Sequence, residues 1–117
     1  MDADFLAQQK EKLLAKRREL RAALNLTTHE EDAGEEVKDP LDAAVAYANR
    51  ELVARQSDQY RQLLQDVEDA LERIADGTYG ICQGSGEEIP RKRLEAIPWA
   101  RYTAAYQEKI ERGLASE

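Results

Sequence analysis

The densest concentration of reactive side chains in this sequence is a run of carboxylates about a third of the way along the chain. Seven acidic residues lie between Glu30 and Asp42 against one basic residue, Lys38. This segment therefore carries a net charge of −6, whereas the whole chain carries −7. Carboxylates in this arrangement can coordinate Mg²⁺ or approach a basic partner. They can equally solubilise a loop and complement a helix start, because Asp39 precedes Pro40 and Asp42 follows in the first turn.

The thiol chemistry of the chain is limited to one cysteine, Cys82. A single cysteine excludes an intramolecular disulfide. No histidine or second cysteine lies near Cys82 in the sequence to lower its pKa, so we expect a structural residue and not a nucleophile. With 117 residues and only 6% aromatic residues, a large buried active-site cavity is not expected. We predict that the protein is not an enzyme.

Basic residues form two clusters, which are solvated faces or docking sites for an acidic partner. The first is Lys16, Arg17, Arg18 and Arg21, and the second is Arg91, Lys92, Arg93 and Arg101. The negative net charge argues against broad binding to nucleic acid or to an anionic membrane. Interleaved glutamates and the absence of a recognition motif argue against sequence-specific DNA binding.

Two long helices must position these groups. Residues from Asp4 to about Glu31 contain no glycine or proline, and a second helix is predicted from Asp39-Pro40 to about Ala75. Heptad-spaced apolar residues mark one seam on each helix: Leu6, Leu13, Leu20 and Leu24 on the first, and Val45, Leu52, Tyr60, Leu64, Val67, Leu71 and Ile74 on the second. A helix of about 35 residues is roughly 50 Å long. The pattern predicts an antiparallel coiled-coil hairpin over residues 1–76, with an acidic tip at about 32–44.

The remaining residues, 77–117, are expected to form a small base at the open end of the hairpin. Four of the six glycines lie between Gly77 and Gly86, which indicates tight turns. Residues 91–97 are expected to form a short helical turn, and a C-terminal helix is expected to begin at Pro98. One side of that helix would carry Trp99, Tyr102, Thr103, Tyr106 and Ile110. The fold class is mainly α.

Two motifs in the chain resemble those of the DksA/TraR family of bacterial RNA polymerase regulators. The first resembles the zinc-finger signature of the family: Gly77-x-Tyr79-Gly80-x-Cys82, then Gly86, Ile89-Pro90, Arg93-Leu94-Glu95-Ala96 and Pro98. The second, Asp39-Pro40-Leu41-Asp42-Ala43-Ala44, resembles the tip motif of two aspartates three apart followed by an alanine. The distance between the motifs fits the family without insertion or deletion, and the resemblance covers about Asp39 to Tyr106.

The resemblance assigns the four zinc-ligand positions of the family to Cys82, Ser85, Thr103 and Tyr106. Structural zinc needs four thiolate or imidazole ligands, and one thiolate cannot provide them. His29 lies near the distant tip. We therefore predict a degenerate, metal-free base in which packing replaces zinc, through Ile81, Ile89, Leu94, Ile97, Trp99, Tyr102 and Tyr106.

The resemblance also implies a function, which is binding to RNA polymerase and insertion of the coiled coil into its secondary channel. The tip then alters the stability of promoter complexes. Carried over residue by residue, the tip determinants are Asp39, Asp42 and Ala44, and Arg55 is a docking candidate at the polymerase rim. Many family members act with ppGpp through basic residues, but the matching positions here are Gln59, Asp66 and Gln107, with only Leu63 in agreement. These residues argue against binding of ppGpp, and the sequence does not indicate whether ppGpp contributes.

Two other functions remain open from the sequence. The acidic tip could deliver Mg²⁺ through the same channel and promote transcript cleavage. Alternatively, the chain could be a coiled-coil adaptor for a partner other than polymerase. The acidic start of the chain and the absence of a long apolar run predict a cytoplasmic protein. Nothing indicates an obligate dimer, so we expect a monomer. The sequence does not indicate which promoters respond or in which direction.

Overall fold

The computed structural model describes the backbone of residues 1–32 and 39–117, and the side chains of residues 1–26 and 39–117. Within these ranges the backbone forms four helices: α1 (Ala3–Asp32), α2 (Pro40–Asp76), α3 (Arg91–Ala96) and α4 (Ala104–Glu111). The molecule is elongated, with extents of 59 × 33 × 20 Å. The predicted mainly α fold, with a long helical hairpin and a short C-terminal helix, is confirmed.

Both ends of α2 are fixed by local chemistry that is visible in the sequence. Asp39 is extended, and its Oδ1 accepts a hydrogen bond from Leu41 N at 2.9 Å. Pro40 occupies the first helical position, where its missing N–H is not needed. At the other end, Gly77 adopts a left-handed φ of 84° and its N–H bonds to Arg73 O, which is a common helix stop. The 37 residues span about 55 Å, nearly the full length of the molecule.

The hairpin forms because α1 and α2 each bury one face against the other. Leu13 and Leu20 of the predicted α1 seam are buried, as is Val67 of the α2 seam. The other seam residues in the basal half of α2 are partly buried: Tyr60, Leu64, Leu71 and Ile74. Two polar side chains, Gln9 and Ser57, are also fully buried. Ser57 is tolerated because its hydroxyl donates to Val53 O at 2.9 Å.

The predicted seam is wrong in the tip half of α2, where Val45 and Leu52 are exposed. The reason is helical phase. Val53 lies one heptad before Tyr60 and is partly buried, so the face toward α1 passes through Val53. Leu52 lies one residue earlier and is rotated by about 100° from that face.

The base is built around a tight glycine-containing turn. Ile81 and Glu88 form an isolated antiparallel bridge, and Cys82 N and Ile89 N donate to Glu87 O and Gly80 O at 2.8 and 2.7 Å. The buried hydrophobic cluster of the base contains Tyr79, Cys82, Ile89, Leu94, Ala100 and Tyr102. Ile81, predicted to belong to this core, is instead exposed, because it alternates with the inward-facing Cys82.

A buried amide joins the hairpin to the base. Gln9 Nε2 donates to Leu94 O at 2.7 Å and to Tyr79 Oη at 2.9 Å. The Tyr79 hydroxyl in turn donates to Pro98 O at 2.8 Å. Burial raises the pKa of the Tyr79 phenol, so the hydroxyl keeps the proton that this bond requires.

The C-terminal helix begins at Ala104 and not at Pro98 as predicted. Thr103 is extended and caps the helix, because its Oγ1 accepts from Tyr106 N at 3.3 Å. Trp99 and Tyr102 therefore precede the helix. Gln83 N donates to Arg101 O at 2.9 Å and holds this non-helical segment against the glycine-containing turn, residues 77–90, which we call the knuckle.

Candidate functional site: the acidic tip and the degenerate metal position

The tip residues Asp39, Asp42 and Ala44 lie in the cap and first turns of α2, at the end of the helix far from the base, and all three are exposed. Asp42 lies 34 residues before the end of α2, which is about 51 Å along the helix. The other acids of the predicted tip, within residues 32–38, lie outside the residues whose side chains the structure describes. The described part of the tip thus presents two carboxylates at one extremity of a long rod.

The two aspartates of the tip are not equivalent. One carboxylate oxygen of Asp39 caps α2 through Leu41 N, so this residue contributes to helix stability. The side chain of Asp42 forms no hydrogen bond or ion pair with any residue that the structure describes. Its carboxylate is therefore available to a partner, whereas that of Asp39 is partly committed.

Arg55 is exposed on α2, 13 residues from Asp42 and about 20 Å further along the helix. Together with Leu52, Gln56 and Gln59 it lines a shallow depression on the surface of the rod. Arg55 has no acidic partner within the described part of the chain. Its charge is free for an intermolecular contact.

The four residues that the sequence assigns to degenerate zinc-ligand positions are brought together in the base. Cys82 Sγ accepts from Ser85 N at 3.4 Å and lies 4.0 Å from Thr103 Oγ1. Thr103 Oγ1 also accepts from Tyr106 N. These contacts join the knuckle to the start of α4 across 21 residues of chain.

Comparison with known proteins places this arrangement in a family. Residues 77–112 match the prokaryotic DksA/TraR C4-type zinc finger. The RNA polymerase-binding transcription factor DksA of Caulobacter vibrioides is 38% identical over 104 residues, which cover 88% of this chain and 73% of that protein. The chain belongs to the DksA/TraR family.

Similarity to known proteins extends over nearly the whole chain. The structure of transcription factor DksA2 from Pseudomonas aeruginosa matches with a TM-score of 0.83 and 32% identity, covering 96% of this chain and 87% of that one. An uncharacterized protein of Aquifex aeolicus is 39% identical over 117 residues, covering 96% and 80% of the two chains. The family predicted from the sequence is therefore confirmed.

The residues at the zinc position of this DksA/TraR protein do not fit the metal. Their donor set is one thiol, two aliphatic hydroxyls and one phenol, and zinc needs four thiolate or imidazole ligands. Two of the hydroxyls are also engaged: Thr103 Oγ1 caps α4, and Tyr106 Oη donates to Ser116 O at 3.1 Å. Among the described residues, no group of three or more His, Cys, Asp or Glu side chains could hold a metal ion.

The Tyr106 ring lies directly against the backbone of the knuckle. A Cβ atom added to Gly84 would lie 2.0 Å from this ring, so the tyrosine occupies the space that any other residue at position 84 would fill. The ring also packs against Tyr102, with centroids 5.2 Å apart. Aromatic packing thus closes the knuckle in the region of the predicted degenerate zinc-ligand positions.

Cys82 is held in an environment that the sequence did not predict. Burial raises the pKa of the Cys82 thiol. Hydrogen bonds from the Ser85 side chain and from the backbone of Ser85, Thr103 and Gly84 outweigh burial and lower the pKa to about 7. The sequence argument considered only histidine and a second cysteine as groups that lower the pKa, whereas the groups that act here are hydroxyl and backbone N–H donors. That Cys82 is a structural residue and not a nucleophile stays a prediction. The Gly84-Ser85 pair after the cysteine was the available signal, since such turns aim N–H groups at one point.

Most basic residues near the base contribute to the fold. Arg93 Nε donates to Tyr102 O at 2.8 Å, and buried Arg73 donates to Ala100 O at 3.4 Å. Burial lowers the pKa of Arg73. Arg91 pairs with Asp2 and stacks over Phe5 at 4.5 Å. The predicted basic cluster at the base is therefore only partly available to an acidic partner.

None of the helices that the structure describes contains a stretch both long and apolar enough to cross a bilayer.

Proposed function

We propose that this protein is a transcription regulator that binds RNA polymerase and inserts the tip of its hairpin into the secondary channel, where it changes the stability of promoter complexes. The Caulobacter relative is named as an RNA polymerase-binding transcription factor. The relative from Pseudomonas is named as a transcription factor. These names support polymerase as the partner, and the shape of the chain supports the route.

The observation that supports the proposal most directly is the position of the Asp42 carboxylate, which is free of partners among the described residues and lies at the tip of the hairpin. Asp42 lies about 51 Å along α2 from the base, has no partner among the described residues and follows a capped helix start. Only a slender element of this length can reach the interior of a narrow channel while its base remains outside. Asp42 acts near the catalytic centre, Asp39 holds the helix start in shape, and Ala44 keeps the adjoining surface narrow.

Neither zinc nor ppGpp belongs to this mechanism. The zinc position has the wrong donors. Of the positions matching the ppGpp-binding residues of the family, Asp66 is acidic and accepts from Gln62 Nε2 at 3.1 Å, and Gln59 and Gln107 are uncharged. A polyphosphate needs charge-assisted hydrogen bonds that this surface does not offer.

Replacing Asp42 by Asn tests the tip assignment. The change removes one exposed charge and costs the helix start only about 0.3–1 kcal/mol. We expect polymerase binding within twofold of the parent and loss of the effect on open-complex lifetime at a ribosomal promoter. Asp58→Asn is the matched control, because Asp58 is also exposed on α2 and pairs only with Arg61, three residues away.

Three results would contradict the proposal. An Asp42→Asn variant that changes open-complex lifetime like the parent would show that the tip assignment is wrong. Shortened transcripts from a stalled elongation complex, dependent on Mg²⁺ and Asp42, would instead indicate a cleavage factor. Failure of purified polymerase to retain the parent at moderate salt would favour an adaptor for another partner.

A further inference from the structure

The tip half of α2 carries an exposed apolar stripe that the fold does not use. Leu41, Val45 and Leu52 are 72%, 54% and 65% exposed, and Ala44 and Ala48 are exposed beside them. At about 100° per residue, these five side chains lie within about 60° of one line along the helix. We call this set, Leu41, Ala44, Val45, Ala48 and Leu52, the exposed stripe.

The exposed stripe is not an extension of the hairpin seam. The side of α2 that faces α1 passes through Val53 and Ser57, which are partly and fully buried. Leu52 is rotated from that side by about 100°. Packing against α1 therefore leaves the stripe uncovered, although three large apolar side chains in water are unfavourable for an isolated helix.

A positive charge lies at the basal end of the exposed stripe. Arg55 lies on the same line, 14 residues from Leu41 and about 21 Å away. Asp42 and Asp39 lie near the tip end but are rotated from the line by about 100° and 160°. No charged residue lies on the line between Leu41 and Arg55. The surface is thus an apolar strip that ends in the positive charge of Arg55 on the side of the base.

We infer that the exposed stripe is a contact surface for RNA polymerase and packs against an apolar wall of the channel that the tip enters. This inference rests on the proposed function. The occupant follows from continuity, because the stripe contains Ala44 and ends at Arg55, two residues already proposed to meet polymerase. The stripe contributes binding by burial of apolar surface, and the charge of Arg55 at its basal end helps to orient it along the channel.

Paired substitutions by glutamine test this surface, because glutamine favours helix and adds no charge. The combined variant Val45→Gln/Leu52→Gln should weaken binding to purified RNA polymerase holoenzyme by about tenfold or more, in an equilibrium competition assay. The loss should be the same at low and moderate salt, since apolar contacts are little screened. Thermal unfolding should not change, because both side chains are exposed in the free protein.

Tyr47→Gln is the matched control. Tyr47 is 64% exposed and lies between the two test positions along α2, but about 120° away from the stripe. We expect its removal to leave affinity within twofold. Equal losses in both variants would overturn the inference, as would full affinity of the stripe variant.

The test separates failure of this inference from failure of the proposed function. If the parent does not bind polymerase, the proposed function is wrong. If the parent binds and the stripe variant binds equally well, only the stripe assignment is wrong. A parent that self-associates in sedimentation experiments, with association lost in the stripe variant and polymerase affinity unchanged, would show that a second copy is the occupant and would overturn the inference.

Discussion

A double-mutant cycle between Gly84 and Tyr106 tests whether aromatic packing closes the base. Adding a methyl group at Gly84 would place it 2.0 Å from the Tyr106 ring. The φ angle of Gly84 is not in the left-handed region, so alanine is acceptable to the backbone and the ring alone opposes it. We expect Gly84→Ala to cost about 2 kcal/mol by overpacking. Tyr106→Ala should cost about 3 kcal/mol by loss of packing.

The informative value is the cost of Gly84→Ala after the ring has been removed. In the Tyr106→Ala background the methyl group enters empty space, so the cost should fall to about zero or become a gain of up to ~1 kcal/mol from reduced chain entropy. The coupling energy is therefore about 2 kcal/mol or more. Thermal unfolding followed by circular dichroism measures it, since about 1 kcal/mol corresponds to about 4 °C in a chain of this size.

Gly86→Ala is a control in which backbone strain opposes the substitution instead of a clash with an aromatic ring. Gly86 has a left-handed φ of 76°, and no atom lies within 4 Å of the point where a Cβ on this residue would stand. Its replacement should cost about 1 kcal/mol through backbone strain, equally with and without the tyrosine. If Gly84→Ala also cost the same in both backgrounds, the ring would not occupy the space above Gly84, and our account of the metal-free base would be refuted.

Two predictions concern the chemistry of the base. Addition of a strong chelator should leave the unfolding temperature unchanged, and metal analysis should find no stoichiometric zinc; a zinc-dependent unfolding temperature would contradict the donor argument. Because hydrogen bonds lower the pKa of Cys82 from 9.0 to about 7, its thiolate should stabilise the folded protein fully above pH 9, and this contribution should be lost as the pH falls through about 7. Cys82→Ser should remove that part of the pH dependence of unfolding, whereas an unchanged profile would show that the thiolate is not stabilised.

The long elements of this fold are readable from sequence because their signals are local. Asp39-Pro40 and Gly77 define α2 through capping and backbone conformation, which depend on neighbouring residues only. The predicted seam failed at Val45 and Leu52, because a heptad spacing gives a period but not its phase relative to the partner helix. Phase is set by contacts with α1, which a single sequence does not display.

The site was predictable to a similar extent. The motif predicted Asp39 and Asp42 as tip residues, and the structure adds that the Asp42 carboxylate has no partner among the described residues whereas that of Asp39 caps α2. The degenerate zinc positions were found by resemblance, whereas the fit of the Tyr106 ring on Gly84 joins residues 22 positions apart in the chain. The hydrogen bonds that lower the pKa of Cys82 likewise arise from the folded turn. The start of α4 was missed because the sequence argument placed Pro98 at the first helical position, whereas the side chain of Thr103 caps the helix in the folded base.

The buried amide of Gln9 has a mechanical consequence. Its bonds to Leu94 O and Tyr79 fix the angle at which the hairpin leaves the base. With an arm of about 50 Å, a rotation of about 5° at this joint moves the far carboxylates by about 4 Å, more than the length of a hydrogen bond. The position of the tip carboxylates therefore depends on a few polar atoms where the hairpin joins the base.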